Sequence, residues 1–348
     1  MSHVDHNVLA AVTPEALQRR LDSRTKPQGS LGQLESLAVR IGLALDTDRP
    51  RFTQPTIMIF AADHGIANDG VSAYPSAVTG QMLGNYVSGG AAINVLARQH
   101  GLALRVIDAG VASDIPPHPA LTRRSIARGT RNFRLEPAMT IGQCNAAVEA
   151  GRELAGAALR AGCNALLLGE MGIGNTACAA LLLHRRTGWP LPDCVGRGTG
   201  LDDAALLRKI SLLAEAASRV PGSLSPLHTL AEFGGFEIAM LSGVLLEAAQ
   251  HRCIVVIDGF AVCVAALLAF EMDAHVARHC VFSHCSAEKA HRALLAHLDA
   301  RPLLDLDLRL GEGSGAALAW PLIDATARLI TEMASFESAG VADRGTGQ

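Results

Sequence analysis

The sequence has few aromatic residues and no large excess of charge of either sign. Of 348 residues only 4% are aromatic, so a core must be built from Ala, Leu, Val and Ile, a composition that suits helices packed on a buried parallel sheet. The formal charge is −3, with 30 basic and 33 acidic residues spread along the chain. This balance does not indicate a basic surface that would bind nucleic acid or an anionic membrane, and it favours an enzyme that acts on small molecules.

The chain also lacks a C-x-x-C pair, a secretion signal and an uninterrupted membrane-length apolar run. Its eight cysteines are scattered through apolar segments, a pattern typical of reduced cytosolic thiols rather than of a disulfide framework. The first residues show no basic region followed by an apolar one. The most apolar stretch, 253–270, is interrupted by Asp258 and Gly259 and is predicted to be a strand, a turn and a helix. We therefore expect a cytoplasmic protein with neither nucleic acid nor a membrane as a partner.

Two amphipathic helices are predicted before any strand. Thr13 and Pro14 form a start signal for the first, which places Leu17 and Leu21 on one face, and residues 34–45 repeat apolar positions at helical spacing.

From Thr56 onwards, short apolar runs alternate with long Ala- and Leu-rich helical stretches, as in parallel βα units. The predicted strands are Ile57–Ala61, Leu104–Ile107, Ala165–Leu168, Ile254–Ile257 and a weaker one at His279–Phe282. The predicted helices are Val78–Arg98, Asn145–Ala161, Asn175–Arg186, Asp203–Arg219, Phe236–Ala249 and Gly315–Ser335. We expect an α/β fold with a mostly parallel, Rossmann-like sheet covered by helices on both faces. A small helical domain, 1–50 with about 315–348, would accompany a large catalytic domain, 51–314.

Polar residues follow four of the predicted strands, where ligands bind in open parallel sheets. Asp63, Asp108, Glu170 and Asp258 each stand beside glycine or within two residues of it. Aspartates in such positions also cap the following helices, and that interpretation stays open.

The loop 169–176, Gly-Glu-Met-Gly-Ile-Gly-Asn-Thr, is the best candidate for binding phosphate. Its glycines allow close backbone approach, and Asn175 and Thr176 open a helix whose free N–H groups attract anions. It is neither a P-loop nor a dinucleotide fingerprint, and a simple tight turn is the alternative. Arg197, Arg208 and Lys209 are candidate cations to complete a phosphate site, although Arg208 is better explained as part of a solvated helix face.

Glu312 lies between two glycines just before a long helix. If apolar neighbours such as Leu310 and Met171 desolvate it, its pKa would rise towards the range of a general base. A charge placed at a helix N-terminus is the alternative. The spacing His279-Cys280 and His284-Cys285 matches no zinc pattern, and a Gly-x-Ser-x-Gly elbow is absent, so neither a metal site nor a serine hydrolase is predicted.

Several segments together resemble nicotinate-nucleotide:dimethylbenzimidazole phosphoribosyltransferases, which make the lower-ligand nucleotide of cobalamin. The matching segments are 24–32 (RTKPQGSLG), 62–65 (ADHG), 169–176 (GEMGIGNT), 196–200 (GRGTG), 234–237 (GGFE), 258–260 (DGF), 283–284 (SH) and 311–315 (GEGSG). They occur in one order over about nine-tenths of the chain. The match is far more specific than any single motif.

The resemblance implies a homodimeric enzyme without cofactor or metal that transfers phosphoribose from nicotinate mononucleotide to dimethylbenzimidazole. It implies Glu312 as general base, assisted by Glu170. The residues implied to bind the nucleotide and its phosphate are Gly172, Gly174, Asn175, Thr176, Lys209 and Ser283. Those implied to bind the base are Tyr74, Pro75, Val78, Gln81, Met82 and Leu310. The segment 74–82 varies in the family, which leaves the accepted base open.

Two other functions are alternatives. A nicotinamide-dependent dehydrogenase on the same fold needs a dinucleotide fingerprint, which the sequence lacks. A non-catalytic nucleotide-binding subunit would be indifferent to replacement of Glu312.

Overall fold

A computed structural model describes residues 12–198 and 200–342. Residues 12–52 with 322–342 form one compact unit, and Thr53–Pro321 forms a second. The boundaries lie near the predicted ones, although residues 315–321 belong to the larger unit. That the two units act as separate domains stays a prediction.

The larger unit is built on six parallel strands in the order β3-β2-β1-β4-β5-β6, with a separate parallel pair, β7 and β8. The strands are β1 (Thr56–Ala62), β2 (Ala103–Gly110), β3 (Leu121–Arg123), β4 (Ala165–Met171), β5 (Ile254–Ile257), β6 (Cys280–Phe282), β7 (His284–Cys285) and β8 (Leu304–Asp305). Every residue of β1 is buried, as expected of a central strand covered on both faces. The order reverses between β1 and β4, which opens a crevice at their carboxyl ends.

The helices carry the remaining regular structure. They are α1 (Pro14–Asp22), α2 (Gln33–Ala44), α3 (Ala77–Val87), α4 (Ala92–His100), α5 (Ile141–Arg160), α6 (Asn175–Thr187), α7 (Leu191–Cys194), α8 (Asp203–Arg219), α9 (Pro226–Phe233), α10 (Phe236–Ala248), α11 (Phe260–Met272), α12 (His291–His297), α13 (Ser314–Glu332) and α14 (Phe336–Ala339). Short 3₁₀ helices occupy Gly65–Asp69 and Ala274–His279.

The predicted fold class is confirmed, and all five predicted strands are present. The single helix predicted over Val78–Arg98 is wrong, since Ser88, Gly89 and Gly90 separate α3 from α4, and Gly89 has a φ of +81°. Leu121–Arg123 was missed because the segment has only three residues and lies within a loop rich in proline, glycine and arginine.

The core of the larger unit depends on a close crossing of α5 and α10. A Cβ on Gly151 would lie 2.0 Å from the carbonyl oxygen of Met240, and one on Gly243 would lie 2.0 Å from that of Val148. No real Cβ tolerates such a distance, so each helix needs glycine where it meets the other. Nearly all of α10 is buried, which explains its lack of an amphipathic pattern.

The smaller unit begins as its sequence predicts. The N–H of Ala16 donates to Thr13 Oγ1 (3.2 Å), and Pro14 occupies the first turn of α1. Leu17 and Leu21 are fully buried against Ala38 and Ile330.

The segment 24–32 also has a structural role within this unit. The Lys26 ammonium pairs with Glu35 Oε1 at 2.8 Å, and the same oxygen accepts the N–H of Leu31 at 3.1 Å. Both charged side chains are buried, so the pair fixes the turn that precedes α2.

Among the described residues, no helix combines the length and the hydropathy needed to cross a membrane. All eight cysteines lie in the described residues, where they are buried and form no disulfide.

Candidate active site

A pocket opens at the carboxyl ends of β4, β5 and β6, beside the point where the strand order reverses. Its wall is formed by the loop after β4, the start of α11, the segment after β6 and the segment before α13. The residues that line it are Glu170, Met171, Gly172, Ile173, Asn175, Thr176, Gly198, Gly259, Phe260, Ala261, His284, Ser286, Glu288, Arg309, Leu310 and Gly311. The position agrees with the rule that open parallel sheets bind ligands beyond their strand ends.

Glu312 lies beside this pocket on an unusual backbone. It has a φ of +65°, and Gly311 and Gly313 on either side both have a φ of +77°. A non-glycine residue in the left-handed region is strained, and such strain concentrates at functional sites. The loop packs directly on β4, because a Cβ on Gly169 would lie 2.5 Å from the backbone nitrogen of Gly313.

The Glu312 carboxyl group is buried, with 5% of the residue exposed. Burial raises its pKa, the Tyr86 hydroxyl acts in the opposite direction, and the nearby Asp258 carboxylate raises it further. The direction of the shift is the one predicted for a general base. Leu310, the suggested cover, is 55% exposed.

Asp258 follows β5 and anchors the loop that carries Glu312. Its two carboxylate oxygens accept the N–H groups of Gly313 (3.1 Å) and Ala316 (2.9 Å). The aspartate does cap a helix, as the alternative interpretation held, but the helix is α13 rather than α11, which follows it in the chain.

Glu170, near the end of β4, is the second buried acid of the site. Burial, followed by the charges of Glu237 and Asp258, raises its pKa to about 8, while the side-chain amide of Asn175 donates to its Oε2. At neutral pH this carboxyl group therefore retains its proton for most of the time.

Two carboxylate–histidine pairs flank Glu170, and the sequence did not reveal either. His64 Nε2 lies 2.8 Å from Glu237 Oε1, with both side chains fully buried, and His284 Nε2 lies 3.6 Å from Asp258 Oδ1. Burial lowers the pKa of His64, but the Glu237 carboxylate outweighs it and the net shift is upward.

The other end of the pocket is suited to an anion. Gly174, with a φ of +98°, is the N-cap residue of α6 and has no side chain to accept the first N–H groups of that helix. Lys209 of α8 is fully buried, and its Nζ donates to Thr176 Oγ1 (3.1 Å) and to the carbonyl oxygen of Gly196 (3.2 Å). Burial lowers its pKa to about 8, so it is mainly protonated at neutral pH. A helix N-terminus backed by a buried ammonium group attracts phosphate.

The chain is similar to known proteins over most of its length. Residues 7–341 match the family model described as Phosphoribosyltransferase. A nicotinate-nucleotide–dimethylbenzimidazole phosphoribosyltransferase of Cupriavidus necator is 54% identical over 331 residues, covering 95% of each chain. One from a Roseiflexus species is 48% identical over 94% of each chain. The crystal structure of CobT from Thermus thermophilus is 44% identical and superposes with a TM-score of 0.91, covering 95% of this chain and 99% of that one.

The chain belongs to the nicotinate-nucleotide–dimethylbenzimidazole phosphoribosyltransferase family. The resemblance seen in the sequence and the predicted fold are thereby confirmed, and the protein is an enzyme of the pentosyltransferase class.

The nucleotide-binding residues expected from the family divide into two groups. Gly172, Asn175 and Thr176 line the pocket, and Gly174 and Lys209 lie directly behind it. Ser283 is fully buried and donates its hydroxyl to the carbonyl oxygen of Ile257 at 2.7 Å, so its side chain does not face the pocket.

Ser286 occupies the pocket wall that was expected for Ser283. Its hydroxyl contacts His291 Nδ1 (2.7 Å), an atom that already accepts the backbone N–H of Ser286 at 2.9 Å. Only the folding of β7 and α12 after β6 brings Ser286 to the pocket, and the local sequence did not indicate this.

The six expected base-binding residues are not grouped at this pocket. Leu310 lines it, whereas Tyr74, Pro75, Val78, Gln81 and Met82 lie in or just before α3. Helix α3 is nonetheless joined to the loop after β4, because the N–H of Ile173 donates to Thr79 Oγ1 at 3.1 Å. The roles of all six in base binding stay predictions.

Within residues 12–198 and 200–342, no three His, Cys, Asp or Glu side chains form a group suited to hold a metal ion. His279 and His284, which prompted the zinc alternative, contact the carbonyl oxygen of Cys253 and the carboxylate of Asp258 respectively.

Proposed function

We propose that this enzyme transfers the phosphoribosyl group of nicotinate mononucleotide to 5,6-dimethylbenzimidazole. The products are α-ribazole 5′-phosphate and nicotinate, and the reaction belongs to assembly of the nucleotide loop of cobalamin. The observation that supports the proposal is a buried carboxyl group with a raised pKa, that of Glu312, beside a pocket that is also lined by Thr176, the partner of the buried Lys209 ammonium group.

The nucleotide phosphate binds at the N-terminus of α6. Thr176 offers its backbone N–H group there, and Lys209 supplies the positive charge from behind. The backbone N–H of Asn175 instead donates to the carbonyl oxygen of Gly172 at 3.0 Å. Among the described residues, Thr176 and Gly196 accept two of the three ammonium N–H donors of Lys209, and we assign the third to the phosphate. With the phosphate held there, the ribose extends towards Glu170 and Glu312.

At the ribose, the bond between C1′ and the pyridine nitrogen breaks while a bond to the imidazole nitrogen of the acceptor forms with inversion. The leaving pyridine ring takes the bonding electron pair with it. Its nitrogen, which is cationic while bonded to C1′, is therefore neutral in the released nicotinate. The acceptor loses its N–H proton to the Glu312 carboxylate, whose raised pKa improves it as a base near neutral pH.

Glu170 assists in its protonated form. A carboxyl group with a pKa of about 8 donates a hydrogen bond at neutral pH, and Asn175 fixes its second oxygen. We therefore assign Glu170 to orienting the ribose rather than to accepting the proton of the base.

The test is a mixture of purified enzyme, nicotinate mononucleotide and dimethylbenzimidazole in which both products are followed by chromatography and mass. Equal release of nicotinate and ribazole phosphate is the expected result. Nucleotide binding without release of either product would overturn the proposal in favour of a non-catalytic subunit, and adenine as competing acceptor would define the range of bases.

We also propose that the enzyme is a cytoplasmic homodimer. The eight buried cysteines, none of them in a disulfide, support a reducing compartment, and the dimer rests on the family resemblance. Light scattering should give twice the chain mass of 36.4 kDa, and a monomer at micromolar concentration would contradict the assembly.

A further inference from the structure

Tyr86 is a buried tyrosine next to the proposed base, and none of the steps above uses it. It lies in the last turn of α3 with 2% of its surface exposed. Its backbone carbonyl accepts the side-chain amide of Asn94 at 2.9 Å, which ties the end of α3 to α4. A tyrosine hydroxyl held in the interior usually has a hydrogen-bond partner, since an unpaired one costs stability.

In the described part of the chain, neither Tyr86 Oη nor Glu312 Oε2 has a hydrogen-bond partner of good geometry. The two groups nevertheless face each other closely enough for each to shift the pKa of the other. Catalytic hydrogen bonds are often loose in ligand-free enzymes and tighten when substrate binds. Two buried polar atoms, each without another partner, therefore point to one contact.

The direction of that contact is fixed by acidity. Burial, followed by the charges of Glu312 and Glu170, raises the pKa of Tyr86 well above its ordinary value. The hydroxyl thus keeps its proton throughout the working range and acts only as a donor, not as a proton relay.

We propose that Tyr86 is a positioning residue whose hydroxyl donates a hydrogen bond to one Glu312 oxygen, leaving the other oxygen free for the N–H of the acceptor base. The inference rests on the proposed function, because that function requires Glu312 as the base. Helical spacing adds support, since Val78 and Met82 precede Tyr86 by eight and four residues on the same face of α3. A base that contacts these two side chains would present its polar edge towards Tyr86 and Glu312.

The ionisable groups that face Glu312 are Tyr86 from α3, Asp258 after β5 and Glu170 from β4. Tyr86→Phe removes one of them and keeps the ring volume. Because the hydroxyl stabilises the ionised carboxylate, its loss raises the pKa of Glu312. The acidic limb of the kcat profile should then move to higher pH, and kcat at neutral pH should fall about 10–100-fold, the usual effect of losing a hydrogen bond to a charged group. The KM for nicotinate mononucleotide should not change.

The experiment is a double-mutant cycle of Tyr86→Phe and Glu312→Gln, with pH profiles and thermal unfolding of each variant. We expect Tyr86→Phe to have no further effect on turnover once Glu312 is glutamine. Ser242→Ala is the matched control, because it removes a buried hydroxyl that donates to the carbonyl oxygens of Ile238 and Ala265. It should lower Tm without moving the acidic limb.

The role of Tyr86 would be overturned if Tyr86→Phe left the acidic limb where it is. It would also be overturned if Tyr86→Phe lowered kcat by the same factor in the Glu312→Gln enzyme as in the wild-type enzyme. Full activity of Glu312→Gln alone would instead overturn the proposed base. The two failures are therefore distinguishable in one set of proteins.

Discussion

The two ends of the pocket both contain buried ionisable groups, but burial acts on them in opposite directions. At the end that contains Glu170 and Glu312, burial raises the pKa values of both carboxyl groups. At the phosphate-binding end, burial lowers the pKa of Lys209. Both shifts bring the groups closer to neutral pH. At acidic pH we therefore expect the chemical step to slow first, because Glu312 becomes protonated. At alkaline pH we expect nucleotide binding to weaken first, because Lys209 loses its charge.

The largest effect is expected at the end of the pocket that contains Glu170 and Glu312. Glu312→Gln removes the base but keeps its size, so kcat should fall by about 10²–10⁴-fold, the usual contribution of a general base. The Kd for nicotinate mononucleotide should change little, because the phosphate end is intact. Steady-state kinetics combined with calorimetric binding measures both, and unchanged turnover would remove Glu312 from the mechanism.

Lys209→Met should have the next largest effect, and on binding rather than on chemistry. Methionine fills the space of the buried alkyl chain but removes the charge, so the KM for the nucleotide should rise about 10–100-fold. The KM for dimethylbenzimidazole should stay within about twofold of wild type, below the effect of losing one ordinary hydrogen bond. Arg208→Met is the matched control, since Arg208 is the exposed neighbour on α8. Equal losses for both substrates would argue against a phosphate role.

The pH dependence of the same KM separates the two ends further. Because protonated Lys209 binds the phosphate, the KM for the nucleotide should increase as pH rises through about 8 in the wild-type enzyme. The Lys209→Met enzyme should show no such increase. A rise that persists in the variant would assign the titration to another group.

Glu170→Gln tests whether the second acid works in its neutral form. A carboxyl whose folded pKa is about 8 stabilises the fold most at low pH, and this contribution is lost as pH rises through that value. Glutamine mimics the protonated state at every pH, so the variant should have a higher Tm than wild type at pH 9, by about 2–4 °C for each 1 kcal/mol gained. Thermal scans at pH 5 and pH 9 measure the difference, and a lower Tm at both would mean that the carboxylate is the stabilising form.

The parts of the fold that follow from local pattern could be predicted. Apolar runs gave five of the six main strands, and the polar residues after them marked the pocket edge, including Glu170 and Asp258. Glu312 was identifiable because its flanking glycines are unusual in themselves. Helix α3 was extended too far because the apolar period resumes after Ser88, Gly89 and Gly90. The Gly-Gly pair is a turn signal, and the positive φ at Gly89 agrees with the break.

The rest depends on contacts between distant segments. The His64–Glu237 pair joins residues 173 positions apart. Both residues lie in segments that match the family, but nothing local indicates that they pair. The proximity of Tyr86 to Glu312 is equally non-local. The sequence could name residue types suited to the site but not which of them face one another.

The smallest expected effect distinguishes two serines that lie three residues apart. Ser286→Ala should raise the KM for the nucleotide by about 2–10-fold with kcat unchanged, since a neutral hydrogen bond contributes about 0.5–1.5 kcal/mol. The hydroxyl of Ser286 can exchange its contact with His291 Nδ1 for one with phosphate, because the backbone N–H of Ser286 continues to donate to that nitrogen. Ser283→Ala should lower Tm but leave KM unchanged, because its hydroxyl is committed to Ile257. The opposite pattern would restore Ser283 as the phosphate ligand implied by the resemblance and would place Ser286 in the scaffold.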